Sequence, residues 1–166
     1  MQVLWFEKEP NGNFIAPADW RRDAVALTST HDLPTVAGWW TGRDIEWRAK
    51  VGIYASEGDE AAERAERSNA KQRLWSALQN AHCVTPGPLP SEAEPAVNGA
   101  ISYVGKTPCR LSIIPADDIC GLREQPNLPG TIHEHPNWRR RLPPGDFFSQ
   151  GGVSARLARF VNSRRE

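Results

Sequence analysis

The chain has 166 residues and a formal net charge of zero at pH 7, because 20 lysines and arginines balance 20 aspartates and glutamates. A length of this order suits one modest domain or part of a larger one. The balanced charge argues against a nucleic-acid binder, which would be strongly basic, and against a protein held at a membrane surface by a basic patch.

Two short apolar runs near the N-terminus predict buried strands. They cover residues 3–6 and residues 24–28, and nearly continuous apolar runs are typical of parallel strands covered on both faces. The second run leads directly into the polar segment 28–35, which contains His31 and Asp32. Pro34 is expected near the first helical position, so that Asp32 is predicted to cap the helix that follows.

The middle of the chain is predicted to be mostly helical. A short helix is expected over residues 43–51, the clearest helix over residues 59–81, and another over residues 93–106, because apolar side chains recur at helical spacing. An apolar run at residues 110–114 predicts the third strand. The order of these elements is typical of an α/β protein.

The last fifty residues are predicted to contain loops and one helix. Residues 116–122 and 127–131 are expected to be loops, and Asp117 and Asp118 are interpreted as a helix cap or turn because aspartate commonly opens turns. Residues 137–141 are expected to begin a solvated helix with Trp138 packed inward. Residues 153–163 are predicted to form an amphipathic helix.

Three strands are too few for a self-contained parallel sheet. Two edges would carry unpaired backbone groups, and a (β/α)₈ barrel needs about 250 residues. We therefore expect residues 1–166 to form a single segment of a larger fold. The exposed edges could be covered by self-association.

The pair His31-Asp32 is the strongest candidate for chemistry. It directly follows an apolar strand, and barrel enzymes place their functional residues at the carboxyl ends of strands. Four hydroxyl-bearing residues flank the pair and are expected to support a polar site from the layer behind it: Thr28, Ser29, Thr30 and Thr35. The alternative is that Asp32 only caps a helix and that His31 is an interior residue with satisfied hydrogen bonds.

Other polar and aromatic motifs carry less weight. His133 and His135 are two residues apart, a spacing that places side chains on one face only in a strand, and the neighbouring prolines indicate a loop. No metal site is therefore predicted. The tryptophans Trp5, Trp39 and Trp40 are interpreted as core residues rather than as platforms for a ligand.

The remaining features concern compartment and cofactor. Three cysteines without Cys-x-x-Cys spacing argue against a disulfide framework or a zinc site. No apolar run approaches the roughly 18 residues that cross a bilayer, and the N-terminus lacks the pattern of a secretory signal. We expect a cytoplasmic protein with no membrane association and, since it has no glycine-rich phosphate loop, no cofactor.

Several motifs resemble one family, amylomaltase or 4-α-glucanotransferase. They are VLWF at residues 3–6, STHDLPT at 29–35, GWW at 38–40, TPCRL at 107–111, NLPGT at 127–131 and HPNWRR at 135–140. They occur in the family's order and extend over nearly the whole chain. The resemblance implies an elaborated (β/α)₈ barrel, of which this chain would be the C-terminal portion, about strands six to eight with their helices.

The resemblance also implies a reaction and roles for three residues. The family transfers α-1,4-glucan segments between maltooligosaccharides with retention at the anomeric carbon. It uses a nucleophilic Asp, a general-acid Glu and a second Asp that stabilises the transition state. Asp32 matches the second Asp, His31 matches a histidine that binds hydroxyls of the sugar at the cleavage site, and Asn127 lies in a loop that lines the donor sugar site.

The nucleophile and the general acid of that family lie on earlier strands, to which nothing in this chain corresponds. The resemblance therefore implies that the chain alone is inactive. Three interpretations stay open: a part of a 4-α-glucanotransferase, a non-catalytic remnant or glucan-binding module, and one half of a split enzyme. In each of them the expected ligand is a maltooligosaccharide or α-1,4-glucan.

Overall fold

A three-stranded parallel sheet forms the centre of the computed structural model, which describes residues 1–142, 144–149 and 152–165. The strands are β1 (Gln2–Val3), β2 (Val25–Leu27) and β3 (Leu111–Ile113), in the spatial order β1-β2-β3. Ala26 of β2 lies opposite Gln2 on one side and Ser112 on the other. Because all three strands run in the same direction, the segments that follow them start at the same edge of the sheet.

The three predicted strands are present, but each is shorter than the apolar run that predicts it. β1 ends at Val3, and a turn follows in which the Phe6 amide donates to the Val3 carbonyl at 2.9 Å. Leu4 and Trp5 remain buried, whereas Phe6 is exposed. The prediction of a buried strand over residues 3–6 is therefore wrong beyond Val3, because an apolar run does not distinguish a strand from a buried turn.

Six α-helices surround the sheet within the part of the chain that the structure describes. They are α1 (Val36–Thr41), α2 (Arg43–Lys50), α3 (Glu57–Asn80), α4 (Ala93–Gly105), α5 (Ala116–Cys120) and α6 (Val153–Ser163), and short 3₁₀ turns occupy Pro17–Asp19 and Phe147–Ser149. The predicted helices that correspond to α2, α3, α4 and α6 are confirmed to within two residues at each end. In the described part of the chain, no helix is both long and apolar enough to cross a membrane.

Two segments near the C-terminus differ from the prediction. Residues 116–120 form the helix α5 instead of a loop, and Gly121 ends it in the left-handed conformation with a φ of 69°. Residues 137–141 form no helix: the Trp138 amide donates to the Pro126 carbonyl at 3.0 Å, which ties the segment to the preceding loop. Trp138 is exposed rather than packed inward, so that prediction is wrong.

The hydrophobic core lies between the sheet and the helices, with α4 packed against α1, α3 and α6. Trp5, Trp39 and Trp40 are buried in it, which confirms their interpretation as core residues. The rings of Trp5 and Trp39 stack with centroids 4.8 Å apart. Trp5 follows β1 and Trp39 lies in α1, so this stack fixes the first helix against the edge of the sheet where the strands end.

Both outer strands of the sheet have one strand partner within the described residues. Leu111 and Ile113 of β3 are 60% and 52% exposed although both are large and apolar. Between them, the hydroxyl of Ser112 is buried, and among the described residues it has no hydrogen-bond partner. Exposed apolar side chains and an unsatisfied buried hydroxyl on one strand are typical of a surface that another element covers.

Candidate functional site

Three side chains selected from the sequence meet at the edge of the sheet where the strands end. The Asn127 amide Nδ2 donates to Asp32 Oδ1 at 2.6 Å, and His31 Nε2 lies 3.3 Å from Asp32 Oδ2. The Asn127 backbone amide also donates to the His31 carbonyl at 3.2 Å. The side chains of His31 and Asp32 are 57% and 49% exposed. A carboxylate held by two neighbours and open to solvent can accept hydrogen bonds from a ligand.

Asp32 does not cap a helix, contrary to the prediction. The cap of α1 is Thr35, whose hydroxyl oxygen accepts a hydrogen bond from the Gly38 amide at 2.9 Å, and Pro34 precedes the helix instead of beginning it. Thr35 and Asp32 are both good capping residues, so local sequence does not decide between them. Because Thr35 satisfies the helix end, the Asp32 carboxylate is left for the site.

The hydroxyl groups around the pair fix its backbone rather than its side chains. The Ser29 hydroxyl donates to the Pro34 carbonyl at 2.7 Å, and the Thr35 hydroxyl donates to the Leu122 carbonyl at 2.5 Å. The Thr28 hydroxyl donates to the Asp118 carboxylate at 2.5 Å. These three hydroxyls thus support the site through its backbone, because they hold segment 28–35 in a fixed conformation.

Asp118 anchors both ends of that segment, a role that its interpretation as a cap or turn missed. Its carboxylate accepts from the Thr28 hydroxyl at one end and from the Val36 amide, at 2.7 Å, at the other. The residue is fully buried. Burial raises the pKa of Asp118 to about 6, although both hydrogen bonds act to lower it. The sequence signal was an acidic residue shortly after an apolar run.

The loop that carries Asn127 is attached to helix α2 through Glu124. The Glu124 carboxylate accepts from Trp47 Nε1 at 2.6 Å, from Arg43 Nε at 2.8 Å and from Arg140 Nη1 at 2.7 Å. Burial alone would raise the pKa of Glu124, but the hydrogen bonds from Trp47 and Arg43 and the charge of Arg140 outweigh it and lower the pKa. Glu124 is thus an ionised group that joins the start and the end of the loop to α2.

The side chain of Asn137 holds the same loop together by hydrogen bonds to its backbone. Its Oδ1 accepts from the Leu128 amide at 2.9 Å, and its Nδ2 donates to the Thr131 carbonyl at 3.0 Å. His135 Nδ1 lies 2.8 Å from the same Oδ1, and the imidazole packs edge-on against the Trp47 ring. His135 is therefore a buried structural residue, and burial lowers its pKa. No group of three His, Cys, Asp or Glu residues that could hold a metal occurs among the described residues.

A cavity of about 420 Å³ adjoins Asp32 and contains two further carboxylates. Asp44 is paired with Arg67 at 2.7 Å, and Glu63 is paired with Arg48. Both carboxylates are engaged by guanidinium groups, so their oxygens already have partners within the chain. The arrangement can bind a neutral ligand rich in hydroxyl groups, and it can stabilise positive charge at Asp32.

Comparisons with known proteins agree with one another. The sequence profile of the 4-alpha-glucanotransferase family matches residues 1–147. A 4-alpha-glucanotransferase of Mycobacterium tuberculosis is 33% identical over 149 residues, which are 87% of this chain and 20% of the relative. The enzyme of the same name from Haemophilus influenzae is 27% identical over 146 residues, 84% of this chain and 20% of the relative.

A solved structure shows a similar fold. The crystal structure of amylomaltase from Corynebacterium glutamicum matches with a TM-score of 0.72 and 24% identity, over 98% of this chain and 25% of that one. The chain spans about a fifth of the length of the curated relatives it matches. Since the family profile covers most of its residues, the chain belongs to the 4-alpha-glucanotransferase family.

Proposed function

We propose that residues 1–166 are a single segment of a 4-α-glucanotransferase, the C-terminal portion of a (β/α)₈ barrel with about strands six to eight. In a closed barrel every strand has two neighbours, so β1 and β3 each require one more strand. Closure would cover Leu111 and Ile113 and could supply a partner to the Ser112 hydroxyl. In the isolated chain, the same edges are available for self-association.

The proposed ligand is a maltooligosaccharide or α-1,4-glucan, and the proposed site consists of His31, Asp32 and Asn127. The observation that carries this proposal is the hydrogen bond between Asn127 and Asp32, with His31 on the other carboxylate oxygen, in a chain of this family. Asp32 would accept hydrogen bonds from the hydroxyls of one glucose unit. His31 would bind a hydroxyl of the same unit, and Asn127 would orient the carboxylate.

Asp32 would act most strongly in the transition state. As the glycosidic bond breaks, the sugar ring flattens and acquires oxocarbenium character. The hydrogen bonds from its hydroxyls to Asp32 then strengthen, and the carboxylate stabilises the developing positive charge. Such an interaction changes turnover more than it changes binding of the ground state.

Transfer with retention needs two more carboxyl groups about 5–5.5 Å apart, one as nucleophile and one as acid. Asp44 and Glu63 border the neighbouring cavity but are fixed in ion pairs. We therefore propose that the nucleophile and the acid come from earlier strands of the barrel and that the chain alone does not catalyse transfer. A separate polypeptide could supply those strands, as in a split enzyme.

The test is complementation. The chain is incubated with maltotriose, alone and after co-expression with the part of the Mycobacterium tuberculosis relative that precedes the matched region, and longer glucans are measured. We expect transfer only from the combined chains, and we expect Asp32→Asn to reduce it about 100-fold or more while maltooligosaccharides still bind. Asp23→Asn, which changes an exposed carboxylate paired with Arg110, is the matched control.

Other results would contradict parts of the proposal. Near-normal transfer by Asp32→Asn would contradict the role of Asp32. Transfer by the chain alone would contradict the missing carboxylates. A chain that binds maltooligosaccharides but never complements would be a glucan-binding module, and a chain that binds none would contradict the proposed site.

A further inference from the structure

Trp138 differs from the other tryptophans in its exposure and position. Its side chain is 65% exposed, whereas each of the other six tryptophans is 8% exposed or less. The centroid of its ring lies 5.1 Å from that of His31, which in turn contacts Asp32. The most exposed indole of the chain thus stands beside two residues of the proposed sugar site.

The backbone holds Trp138 in a conformation that its side chain disfavours. Its φ is +59°, in the left-handed region that bulky residues rarely adopt. The hydrogen bond to Pro126 and the contacts of the adjacent Asn137 impose this conformation. Backbone strain at a residue that gains nothing from burial points to a functional constraint.

A cleft of about 650 Å³ has Trp138 among its lining residues, whereas His31 does not line it. Its walls combine apolar side chains with guanidinium donors: Leu122, Pro126, Leu142, Arg123, Arg140 and Arg141. Its volume lies in the range of ligand sites, and such sites pair mostly apolar walls with a few polar groups. A glucan chain presents the matching surface, because each pyranose ring has apolar C–H faces and a rim of hydroxyls.

We propose that Trp138 binds glucan directly, by stacking its indole on the glucose unit next to the one held by His31 and Asp32. The chain then continues into the cleft, where arginine side chains donate to its hydroxyls. This inference rests on the proposed function, since it extends the same ligand by one unit. The ring is rigid and pre-positioned, so little conformational entropy is lost when the sugar stacks on it.

The first experiment measures the affinity of the full chain for maltoheptaose by calorimetry. Trp138→Ala is expected to weaken binding about tenfold, the change that corresponds to one stacked aromatic ring, whereas Trp138→Phe retains most of the affinity. Phe148→Ala removes another exposed aromatic side chain, outside the proposed site, and should not change it. Thermal melting of each variant checks the fold, and Trp138→Phe covers the case in which alanine disturbs the loop.

The second experiment detects the contact itself. Acrylamide quenches exposed indoles, so the quenchable tryptophan fluorescence of this chain comes mainly from Trp138. Saturating maltoheptaose is expected to lower the quenching constant of the wild type but not that of Trp138→Phe. Weaker binding by Trp138→Ala without protection of the wild type would overturn the proposal, because Trp138 would then act only through His31.

The two proposals fail in different ways. If His31→Ala weakens the binding of maltoheptaose while Trp138→Ala binds like the wild type, the inference about Trp138 is wrong and the proposed site stands. If the wild-type chain does not bind maltoheptaose, the proposed site is contradicted and this inference with it. A second copy of the chain on Trp138 would appear as a dimer that Trp138→Ala dissociates, and it too would overturn the proposal.

Discussion

Asp118 supports the strongest prediction about stability, because one buried carboxylate holds both ends of the segment that carries His31 and Asp32. Asp118→Ala leaves the Thr28 hydroxyl and the Val36 amide buried without these partners. Each unsatisfied group costs about 1–3 kcal/mol. We expect Asp118→Ala to lower the free energy of unfolding by about 3 kcal/mol at pH 5. Asp118→Asn can still accept from Val36 and donate to Thr28, so it should be within about 1 kcal/mol of the wild type at pH 4, before the pH-dependent loss described below has developed.

The same residue makes stability depend on pH. The pKa of Asp118 is about 6 in the folded chain against an ordinary value of 3.8. Between these values the folded state binds the proton and the unfolded state does not, so the contribution of Asp118 to stability falls as pH rises. The total change is about 3 kcal/mol. From pH 4 to pH 7.5, Asp118→Asn should gain stability relative to the wild type by about this amount.

Urea unfolding followed by tryptophan fluorescence, repeated between pH 4 and pH 7.5, measures both effects. The difference between the wild type and Asp118→Asn removes the contribution of the other titrating groups. Parallel pH profiles for these two proteins would refute the raised pKa of Asp118. Equal stability of Asp118→Ala and Asp118→Asn at pH 5 would refute the anchoring hydrogen bonds.

Three further substitutions test the support of the site. Gly38→Ala would place a Cβ 2.4 Å from the Arg123 carbonyl oxygen and should lower the free energy of unfolding by about 1–3 kcal/mol in thermal melting. Gly58→Ala, at an exposed helix position, is the control and should not lower it. Equal melting temperatures of the two variants would contradict the close approach at Gly38. Glu124→Gln removes the charge that pairs with two arginines and should make the following loop more susceptible to limited proteolysis. Unchanged cleavage rates would contradict the role of Glu124 in attaching the loop to α2. Asn137→Ala removes the hydrogen bonds that hold the loop together and should lower the free energy of unfolding by about 2 kcal/mol. It should also weaken maltoheptaose binding in calorimetry. Unchanged binding would show that Asn137 does not position the site.

The features that could be predicted from the sequence depend on residues that are close together along the chain. Helix α3 is amphipathic near its C-terminal end and begins with a capping box in which Ser56 and Asp59 bond reciprocally. The position of Asp32 after an apolar strand was also visible as a local pattern. Its hydrogen bond to Asn127 joins residues 95 apart in sequence, and only the family resemblance brought the two together before the structure did.

The features that could not be predicted depend on competition between equivalent partners. Thr35 and Asp32 are both suitable caps, and the cap is Thr35, whose hydroxyl also donates to the distant Leu122 carbonyl. Asp118 looks like a turn residue until the fold brings Thr28 and Val36 to it. Trp138 is apolar, but an apolar residue is not obliged to be buried, and the exposed indole is set by hydrogen bonds of its loop.

The most direct test of the central claim is a maltoheptaose titration of the ¹⁵N-labelled chain, followed by amide and indole chemical shifts. We expect saturable shifts at His31, Asp32, Asn127 and the Trp138 indole. We expect none at Tyr103, which lines a separate cavity of about 670 Å³ that shares no lining residue with the cavity at Asp32. Shifts confined to the cavity around Tyr103, or an unchanged spectrum, would contradict the claim that His31, Asp32 and Asn127 form a glucan site.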